Sequence, residues 1–374
     1  MKAAISHVKI KALCAVVPST VSKFEDEIKE YPFSEHSSRK LAKVMGFREH
    51  RIAPEQVSLC DLAEFAVKQF LDNGIISRDE ISALVFVSHQ HEYPVPGNSK
   101  VLHGRLKLSH NTHCVDLYEN CSGFISGLYT ASTMLASTEE MQKILLVTSN
   151  AGTCHLNIKD RNTYPLMGDA ASVTLIEKSP SADDKIFFDF YHDGSEVETL
   201  IVPAGGMKLP ADENTAKLAK DNLGNYRSLN DLHMDGAKVF HFVMDKVPAL
   251  INDLCTSAKI KKSSIDYHLT HQPNKFLVDK LSDLILDVDE NNQAVIFDNI
   301  VENFGNSSSS TIPVNIAFNL QGCLTTEQNV KSGMQEKLVC LSAFGAGMTA
   351  CAAVCRLGNL SFCALKEYPC PVTD

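Results

Sequence analysis

The sequence predicts an α/β protein in which helices cover largely buried sheets. First, strand-like and helix-like segments alternate through most of the 374 residues. Second, segments such as ALVFVSH (83–89) and KILLVTSN (143–150) are continuously apolar, which is typical of strands covered on both faces. Third, DEISALVFVSHQ (79–90) and SSIDYHLTHQ (263–272) follow the same pattern, which indicates an internal repeat. We therefore expect stacked α/β layers.

The first half of the chain supplies most of the recognisable elements. Its start, MKAAISHVKIKALCAVVPST, has lysines within the apolar stretch and is interpreted as strand rather than secretory signal. SLCDLAEFAVKQFLDNG predicts a helix that ends at Gly74. HCVDLYE (113–119) alternates like a buried strand, and a helix is predicted from about Ser122 to Ala136. ASVTLIE predicts one more strand.

The second half is predicted to repeat this plan. KLVCLSAFGAG (337–347) resembles KILLVTSNAG (143–152), and the two pairs of similar segments are separated by comparable offsets. We place the halves at 1–180 and 181–374, with a C-terminal extension after Leu357 that has no clear period. The polar stretch 205–233 is predicted to be a surface insertion with a short helix.

Composition and charge exclude several classes of protein. The chain is 44% hydrophobic and 21% charged, as in ordinary globular proteins. It has no run of 18 apolar residues, so no membrane span is expected. A net charge of −10 argues against a nucleic-acid partner, because phosphate binding needs basic patches.

The twelve cysteines are scattered through apolar segments, which predicts a reduced, cytoplasmic protein with mostly core thiols. The C-terminal group fits no common zinc-ligand spacing, so no metal site is expected; its members are Cys351, Cys355, Cys363 and Cys370. Cys121 differs from the others because it lies at a predicted strand–turn–helix junction. A helix N-terminus lowers a thiol pKa and favours the nucleophilic thiolate. Cys121 is therefore a candidate nucleophile, the alternative being one more buried thiol.

Polar residues at other strand ends could assist this thiol. His271 ends the strand-like part of HLTHQPNKF, and Asn306 lies in ENFGNSSSSTIP before a predicted helix. The segment SAFGAGMT ends another strand in a loop whose backbone N–H groups can face a ligand. A single histidine after a strand is more commonly structural, but loops at strand ends are the usual place for an α/β active site.

Several segments together resemble the β-ketoacyl-acyl-carrier-protein synthase III family of the thiolase superfamily. They are KVMGFREHRIA (43–53), NCSGF (120–124), DRNT (160–163), MGDAASVTLI (167–176), MDGAKVFHF (234–242), HQPN (271–274), GNSSSSTIP (305–313) and FGAGMTACAAVCRL (344–357). The resemblance implies the thiolase fold, a duplicated five-layered α-β-α-β-α sandwich, and a homodimer.

The resemblance also implies roles for individual residues. Cys121 would be the acyl-accepting nucleophile, with His271 and Asn306 completing the catalytic set. The backbone N–H groups of Cys121 and Ala346 would form the oxyanion hole, and Phe344 would flank the nucleophile as a gate.

The implied reaction is a decarboxylative Claisen condensation of a Cys-bound acyl group with a malonyl thioester. Coenzyme A or acyl-carrier-protein thioesters would be the substrates, without metal or redox cofactor. An acyltransferase that moves the acyl group to a hydroxyl or amine is the alternative, and Asn306 favours condensation because pure transfer has less need for an enolate-binding pair. The intact catalytic set argues against a non-catalytic scaffold.

Arg161, Lys275 and Asn274 match positions near the coenzyme A or carrier site. The chain has no tryptophan, and Lys40 falls where the family's adenine-stacking tryptophan would align, so half of the stacking platform is expected to be missing. Lys275 could belong to a positive patch with Lys238, Lys246 and Lys280, or these lysines could form an ordinary solvated surface.

Further departures lie near the nucleophile. Glu119 and Asn120 stand where the family has small residues. Glu119 could raise the thiol pKa or act as a base, but we favour a structural role at the dimer interface. Val95 could lengthen the acyl tunnel. These departures point to a specialised lipid or polyketide-type pathway rather than general fatty-acid biosynthesis.

Overall fold

The computed structural model describes residues 1–286, 294–325 and 336–371. The strands are β1 (Lys2–Ser6), β2 (Val8–Pro18), β3 (Val21–Lys23), β4 (Glu49–Arg51), β5 (Ala83–Val87), β6 (His113–Leu117), β7 (Lys143–Asn150), β8 (Ala170–Lys178), β9 (Lys185–His192), β10 (Leu200–Ile201), β11 (Ala219–Lys220), β12 (Tyr226–Arg227), β13 (His233–Met234), β14 (Tyr267–Thr270), β15 (Val295–Ile296), β16 (Lys337–Gly345), β17 (Thr349–Leu357) and β18 (Phe362–Tyr368). The α-helices are α1 (Phe24–Glu27), α2 (Glu35–Met45), α3 (Leu59–Asp72), α4 (Asn98–Leu106), α5 (Gly123–Ser137), α6 (Gly236–Ala258), α7 (Lys275–Ile285), α8 (Ile300–Phe304) and α9 (Thr311–Leu324).

Two six-stranded sheets repeat one topology. The first has the order β18-β2-β8-β7-β5-β6 and the second β1-β9-β17-β16-β14-β15. In both, the third strand is antiparallel to its two neighbours, and the last three strands are mutually parallel. The predicted α/β class and internal duplication are confirmed.

The helices and sheets form five layers. Helices α3 and α4 cover the outer face of the first sheet, and α6 covers the outer face of the second with α7 beside it. Helices α5 and α9 lie between the sheets, where Leu128 and Leu320 belong to the central hydrophobic cluster. These two helices are apolar on most faces because sheets enclose them on both sides. The predicted duplicated five-layered sandwich is confirmed.

Each end of the chain adds an edge strand to the sheet that is formed mainly by the other half of the chain. β1 pairs with β9 in the second sheet, and the C-terminal segment that the sequence pattern did not place forms β18 beside β2 in the first. The division at residues 180 and 181 stays a prediction.

The structure corrects two local expectations. β6 is a half-exposed edge strand rather than a buried one. The stretch 205–233 contains no helix and instead forms the short hairpin β11–β12. The expectation that SAFGAGMT ends a strand in a loop is confirmed, since β16 ends at Gly345 in a tight turn that leads into β17, with Gly345 paired to Thr349. The interpretation of the N-terminal segment as strand is confirmed by β1 and β2.

Two findings concern the whole described chain. None of its helices is long and apolar enough to cross a membrane. All twelve cysteines are free thiols, and seven of them are buried. Cys154 is exposed, so the core interpretation does not hold for every cysteine.

Candidate active site

Cys121 lies between edge strand β6 and the start of α5, where small residues allow other elements to come close. A Cβ on Gly123 would lie 2.5 Å from Val87 Cγ1, so only glycine lets α5 start against β5. A Cβ on Gly345 would lie 2.9 Å from Cys121 Cβ and 2.5 Å from Asn120 Oδ1. The end of β16 therefore approaches the thiol closely because residue 345 has no side chain.

The turn at residues 306–311 connects the predicted catalytic residues. The Ser308 hydroxyl donates to Cys121 Sγ at 3.6 Å, and the Ser308 backbone N–H donates to Asn306 Oδ1 at 2.9 Å. Thr311 Oγ1 lies 2.6 Å from His271 Nδ1. Cys121, His271 and Asn306 come from distant parts of the sequence, and this turn contacts all three.

His271 is fixed at the end of β14. Its backbone N–H donates to the Ser342 carbonyl at 2.7 Å, and its ring meets the Phe344 ring edge to face, with 5.3 Å between centroids. The side chain is buried, and this burial lowers its pKa from the usual 6.5 to about 3. Since an imidazole with this pKa is neutral at pH 7, it carries a single N–H.

The resting thiol of Cys121 is protonated at neutral pH. Its pKa is raised to about 11, chiefly because the surrounding protein desolvates it and to a lesser degree by the Glu119 charge, while the Ser308 hydrogen bond and its own backbone N–H oppose the shift. The expectation that the helix N-terminus would give a low pKa is therefore wrong, because desolvation outweighs its effect. The Glu119 carboxylate accepts from the Ser122 hydroxyl at 2.9 Å and is thus held at the start of α5.

A cavity of about 860 Å³ leads to this cluster. Its inner wall includes Asn120, His271, Asn306, Phe344 and Ala346. The rest of the wall is mainly apolar and includes Met45, Leu166, Met167, Leu200, Ile201, Val202, Leu232, Met234, Val239, Phe240, Phe276 and Leu277. Cys121 is not itself among the residues that line the cavity, but it follows Asn120 in sequence and lies against Gly345, and both of these residues line it.

The predicted binding residues do not form one group. Asn274 lines the cavity and caps α7 by accepting from the Leu277 N–H at 2.8 Å. Lys275 follows it but is ion-paired with Asp298 and, at 3.4 Å, with Asp279.

Arg161 lies elsewhere, with its guanidinium 3.6 Å from the centre of the Phe33 ring. Phe33 therefore supplies an aromatic ring against Arg161, and the alignment of Lys40 with the family's tryptophan stays a prediction.

The expected positive patch is largely neutralised. Lys238 pairs with Glu196 at 3.3 Å, and Lys246 with Asp245 at 2.8 Å. Lys280 pairs with Asp283 at 3.3 Å. Because each lysine has a nearby carboxylate, an ordinary solvated surface is favoured over a positive patch.

Ser308, Thr311 and Phe33 were missed from the sequence. The run of four serines at 307–310 was a usable signal, since so many hydroxyls beside a candidate catalytic amide are unusual in a buried segment. Phe33 gave no signal, because it contacts Arg161 only in the folded chain. Among the described residues, no group of three or more His, Cys, Asp or Glu side chains could hold a metal ion.

Comparisons with known proteins show which proteins the chain resembles. Residues 115–194 match the family model of 3-oxoacyl-[acyl-carrier-protein] synthase III, and residues 255–357 match that of its C-terminal part. A putative 3-oxoacyl-[acyl-carrier-protein] synthase 3 of Campylobacter jejuni is 28% identical over 96% of this chain and 97% of its own. A β-ketoacyl-[acyl-carrier-protein] synthase III of Solibacter usitatus is 28% identical over 93% and 98%. The crystal structure of a 3-oxoacyl-(acyl-carrier protein) synthase from Burkholderia xenovorans superimposes with a TM-score of 0.86 and 26% identity, covering 98% of this chain and 99% of that one.

Proposed function

Because this chain belongs to the β-ketoacyl-acyl-carrier-protein synthase III family of condensing enzymes, we propose that it joins a Cys121-bound acyl group to a malonyl thioester by decarboxylative Claisen condensation. The observation that carries this proposal is the 306–311 turn, which hydrogen-bonds to the thiol and the carboxamide and reaches the imidazole. A nucleophile and two neutral hydrogen-bond donors at the end of an apolar cavity fit a reaction that passes through an oxyanion and then an enolate.

The first step is acyl transfer to Cys121. Its sulfur attacks the thioester carbonyl, and the backbone N–H groups of Cys121 and Ala346 stabilise the oxyanion. The C–S bond of the donor then breaks, and the thiol proton leaves with the departing pantetheine thiolate. Because burial raises the pKa of this thiol to about 11, little thiolate exists beforehand, and loss of the proton in the substrate complex is the favoured route.

The second step forms the new carbon–carbon bond. The malonyl carboxylate leaves as carbon dioxide, and its bonding electrons form an enolate whose oxygen accepts from His271 Nε2–H and the Asn306 amide. The enolate carbon attacks the acyl-cysteine and expels the Cys121 thiolate, which is reprotonated by solvent. Decarboxylation supplies the carbanion, so no side chain has to remove a proton from carbon. The low pKa of His271 supports this role, since the neutral imidazole has one N–H that can donate a hydrogen bond to the enolate oxygen.

A carrier protein is the favoured acyl donor. Phe33 and Arg161 are already stacked on each other, so an adenine could enter between them only if they separated. Gly224 of the insertion packs against Phe33, and its neighbour Asn225 accepts from the Arg161 backbone N–H at 3.1 Å. A pantetheine arm on a carrier brings no adenine and leaves this contact intact. Asn274, Lys275 and Arg161 remain the proposed contacts of the donor, and the altered platform favours a specialised lipid or polyketide-type pathway.

A homodimer through β6 completes the proposal. β6 is the outer strand of the first sheet, and the adjacent Tyr118 is 78% exposed. The loop containing Tyr93 and Val95 leads into α4, which is tied to β6 where the Ser99 N–H donates to Asp116 at 2.7 Å. Both Tyr93 and Val95 are exposed. An unpaired strand edge flanked by exposed apolar residues is a favourable surface for a second copy of this chain.

Intact-protein mass spectrometry tests the proposal. The full chain is incubated with acetyl, hexanoyl and decanoyl thioesters of coenzyme A and of a carrier protein, and then with malonyl carrier. We expect one acyl mass on the wild type, none on Cys121→Ala, and release of a β-ketoacyl product with malonyl carrier. Acyl transfer from Cys121 to an added hydroxyl or amine without malonyl carrier would instead establish the acyltransferase. Cys370→Ala, which removes a partly buried thiol after β18, is the matched control and should acylate like the wild type.

A further inference from the structure

His271 meets a single polar side chain at Nδ1. Thr311 Oγ1 lies 2.6 Å from this nitrogen, and it is the side-chain contact that the described residues provide there. Thr311 is 0% exposed and His271 1% exposed. Water therefore has little access to this contact, and the Thr311 hydroxyl determines the hydrogen bonding of Nδ1.

The Thr311 hydroxyl has one proton and two acceptors within reach. The Ser308 carbonyl lies 2.9 Å from Oγ1, and His271 Nδ1 lies 2.6 Å away. If the carbonyl receives the proton, Nδ1 must carry its own hydrogen and donate to Oγ1, and Nε2 is then a bare acceptor. If Nδ1 receives the proton, the single N–H of the neutral imidazole lies on Nε2. The orientation of one hydroxyl is thus coupled to the tautomer of the histidine.

The surrounding hydrogen bonds favour the second arrangement. The Ser308 carbonyl already accepts from the Thr311 backbone N–H, so it does not need the hydroxyl proton. Nδ1 also lies closer to Oγ1, at 2.6 Å against 2.9 Å for the Ser308 carbonyl, and Thr311 is the side chain that the described residues place against it.

We propose that Thr311 is a positioning residue that donates to His271 Nδ1 and so holds the imidazole as the Nε2–H tautomer. This inference rests on the proposed function, because Nε2–H is the group that the enolate oxygen needs. With the other tautomer, the Nε2 lone pair would face the negatively charged oxygen and repel it. Thr311 would therefore affect condensation much more than acylation, in which the backbone N–H groups stabilise the oxyanion.

Nitrogen-15 NMR on the full chain with labelled histidine tests the tautomer directly. Protonated and bare imidazole nitrogens have very different shifts, and the His271 signals are assigned by their loss in His271→Asn. We expect Nε2 to be the protonated nitrogen in the wild type from pH 6 to 9. A proton on Nδ1 would overturn the proposal, whether or not the protein condenses malonyl carrier.

Two variants test the consequence for the reaction. Thr311→Val keeps the shape and removes the hydroxyl, whereas Thr311→Ser keeps the donor. On acyl-enzyme formed beforehand, we expect Thr311→Val to lower kcat for malonyl-carrier condensation about 100-fold with KM changed less than about threefold, as for loss of one preorganised donor. Acylation of Cys121 should change less than about threefold, and Thr311→Ser should recover condensation to within about fivefold.

The possible failures can be told apart. Equal losses in acylation and condensation, or no recovery in Thr311→Ser, would contradict the positioning role. A wild type that acylates Cys121 but never consumes malonyl carrier would contradict the proposed function, while the NMR result would still decide the tautomer. If Thr311→Val does not fold, the wild-type spectrum and Thr311→Ser decide the question.

Discussion

Helices α5 and α9 occupy equivalent places in the duplicated fold but carry different chemistry at their starts. Helix α5 follows edge strand β6, whereas α9 follows edge strand β15 after the short helix α8, and both lie in the central layer. The start of α5 presents the Cys121 thiol, which receives one side-chain hydrogen bond from Ser308. The start of α9 presents a hydroxyl-rich turn that fixes Asn306 and contacts His271. Duplication thus supplied two matching positions, one for a nucleophile and the other for donors.

Burial shifts the pKa values of Cys121 and His271 in opposite directions, and both shifts favour the neutral form. Desolvation raises the pKa of Cys121 to about 11 and lowers that of His271 to about 3. Because desolvation disfavours whichever form is charged, both groups are neutral at rest. Negative charge is expected to appear only during the reaction, where the donors are already oriented to meet it.

The largest effect is expected from substituting the two enolate donors, which should slow condensation much more than acylation. His271→Ala and Asn306→Ala should each lower condensation about 100- to 1,000-fold, because each removes a donor to the enolate. Acylation of Cys121 should stay within about tenfold of the wild type, since it uses backbone donors. Time courses of acyl-enzyme mass and of β-ketoacyl product measure both steps. If both variants lost acylation as severely as condensation, the division of roles would be wrong.

A smaller effect is expected where the second sheet touches the nucleophile. Gly345→Ala should slow acylation about 10- to 100-fold, because its Cβ would overlap Asn120 and crowd Cys121. Gly104→Ala, in α4, places its Cβ in open space and is the matched control. Rates of acyl-mass gain compare the two. Wild-type acylation by Gly345→Ala would show that this close approach does not control access to the thiol.

The hydrogen bond from the Ser308 hydroxyl to the Cys121 thiol should have a modest effect on thiol reactivity. Ser308→Ala removes a contact that lowers the pKa of Cys121, so that pKa should rise and the thiolate fraction at a given pH should fall. A hydrogen bond of about 1 kcal/mol corresponds to about a fivefold slower alkylation by iodoacetamide at pH 8. The rate at the Cys121 peptide is followed from pH 7 to 10 and should still be rising at the upper limit. Faster alkylation in the variant, or a plateau below pH 8, would contradict the assignment.

The smallest effect is expected on the α5 side itself. Glu119→Gln should leave decarboxylative turnover within about tenfold of the wild type, because the carboxylate is held by Ser122 at the helix start and decarboxylation needs no base. Steady-state release of β-ketoacyl product is the measurement. A loss above about a hundredfold would make Glu119 an essential acid–base group.

The sequence predicted the parts of the molecule that depend on local pattern. The apolar strands, the start of α5 and the repeated order of elements are all readable from periodicity, and the distant motifs that carry Cys121, His271 and Asn306 could be recognised. What it could not predict depends on contacts between distant residues. The Arg161–Phe33 stack, the exchange of β1 and β18 between sheets, and the Thr311–His271 contact all arise only when the chain folds. The pKa of Cys121 was misjudged for the same reason, since desolvation depends on packing that the local pattern does not contain.

The central claim is that Cys121 at the start of α5 and the donors His271 and Asn306 beside α9 act on one acyl group in succession. A single-turnover experiment tests this claim most directly. Wild-type protein carrying an acyl group on Cys121 is mixed with malonyl carrier, and acyl-enzyme, carbon dioxide and product are followed together. The account predicts that the acyl-enzyme disappears as carbon dioxide and β-ketoacyl carrier appear in equal amounts, and that the acyl-enzyme persists in His271→Ala. Product formed by Cys121→Ala at the wild-type rate, or loss of the acyl group without carbon dioxide, would contradict it.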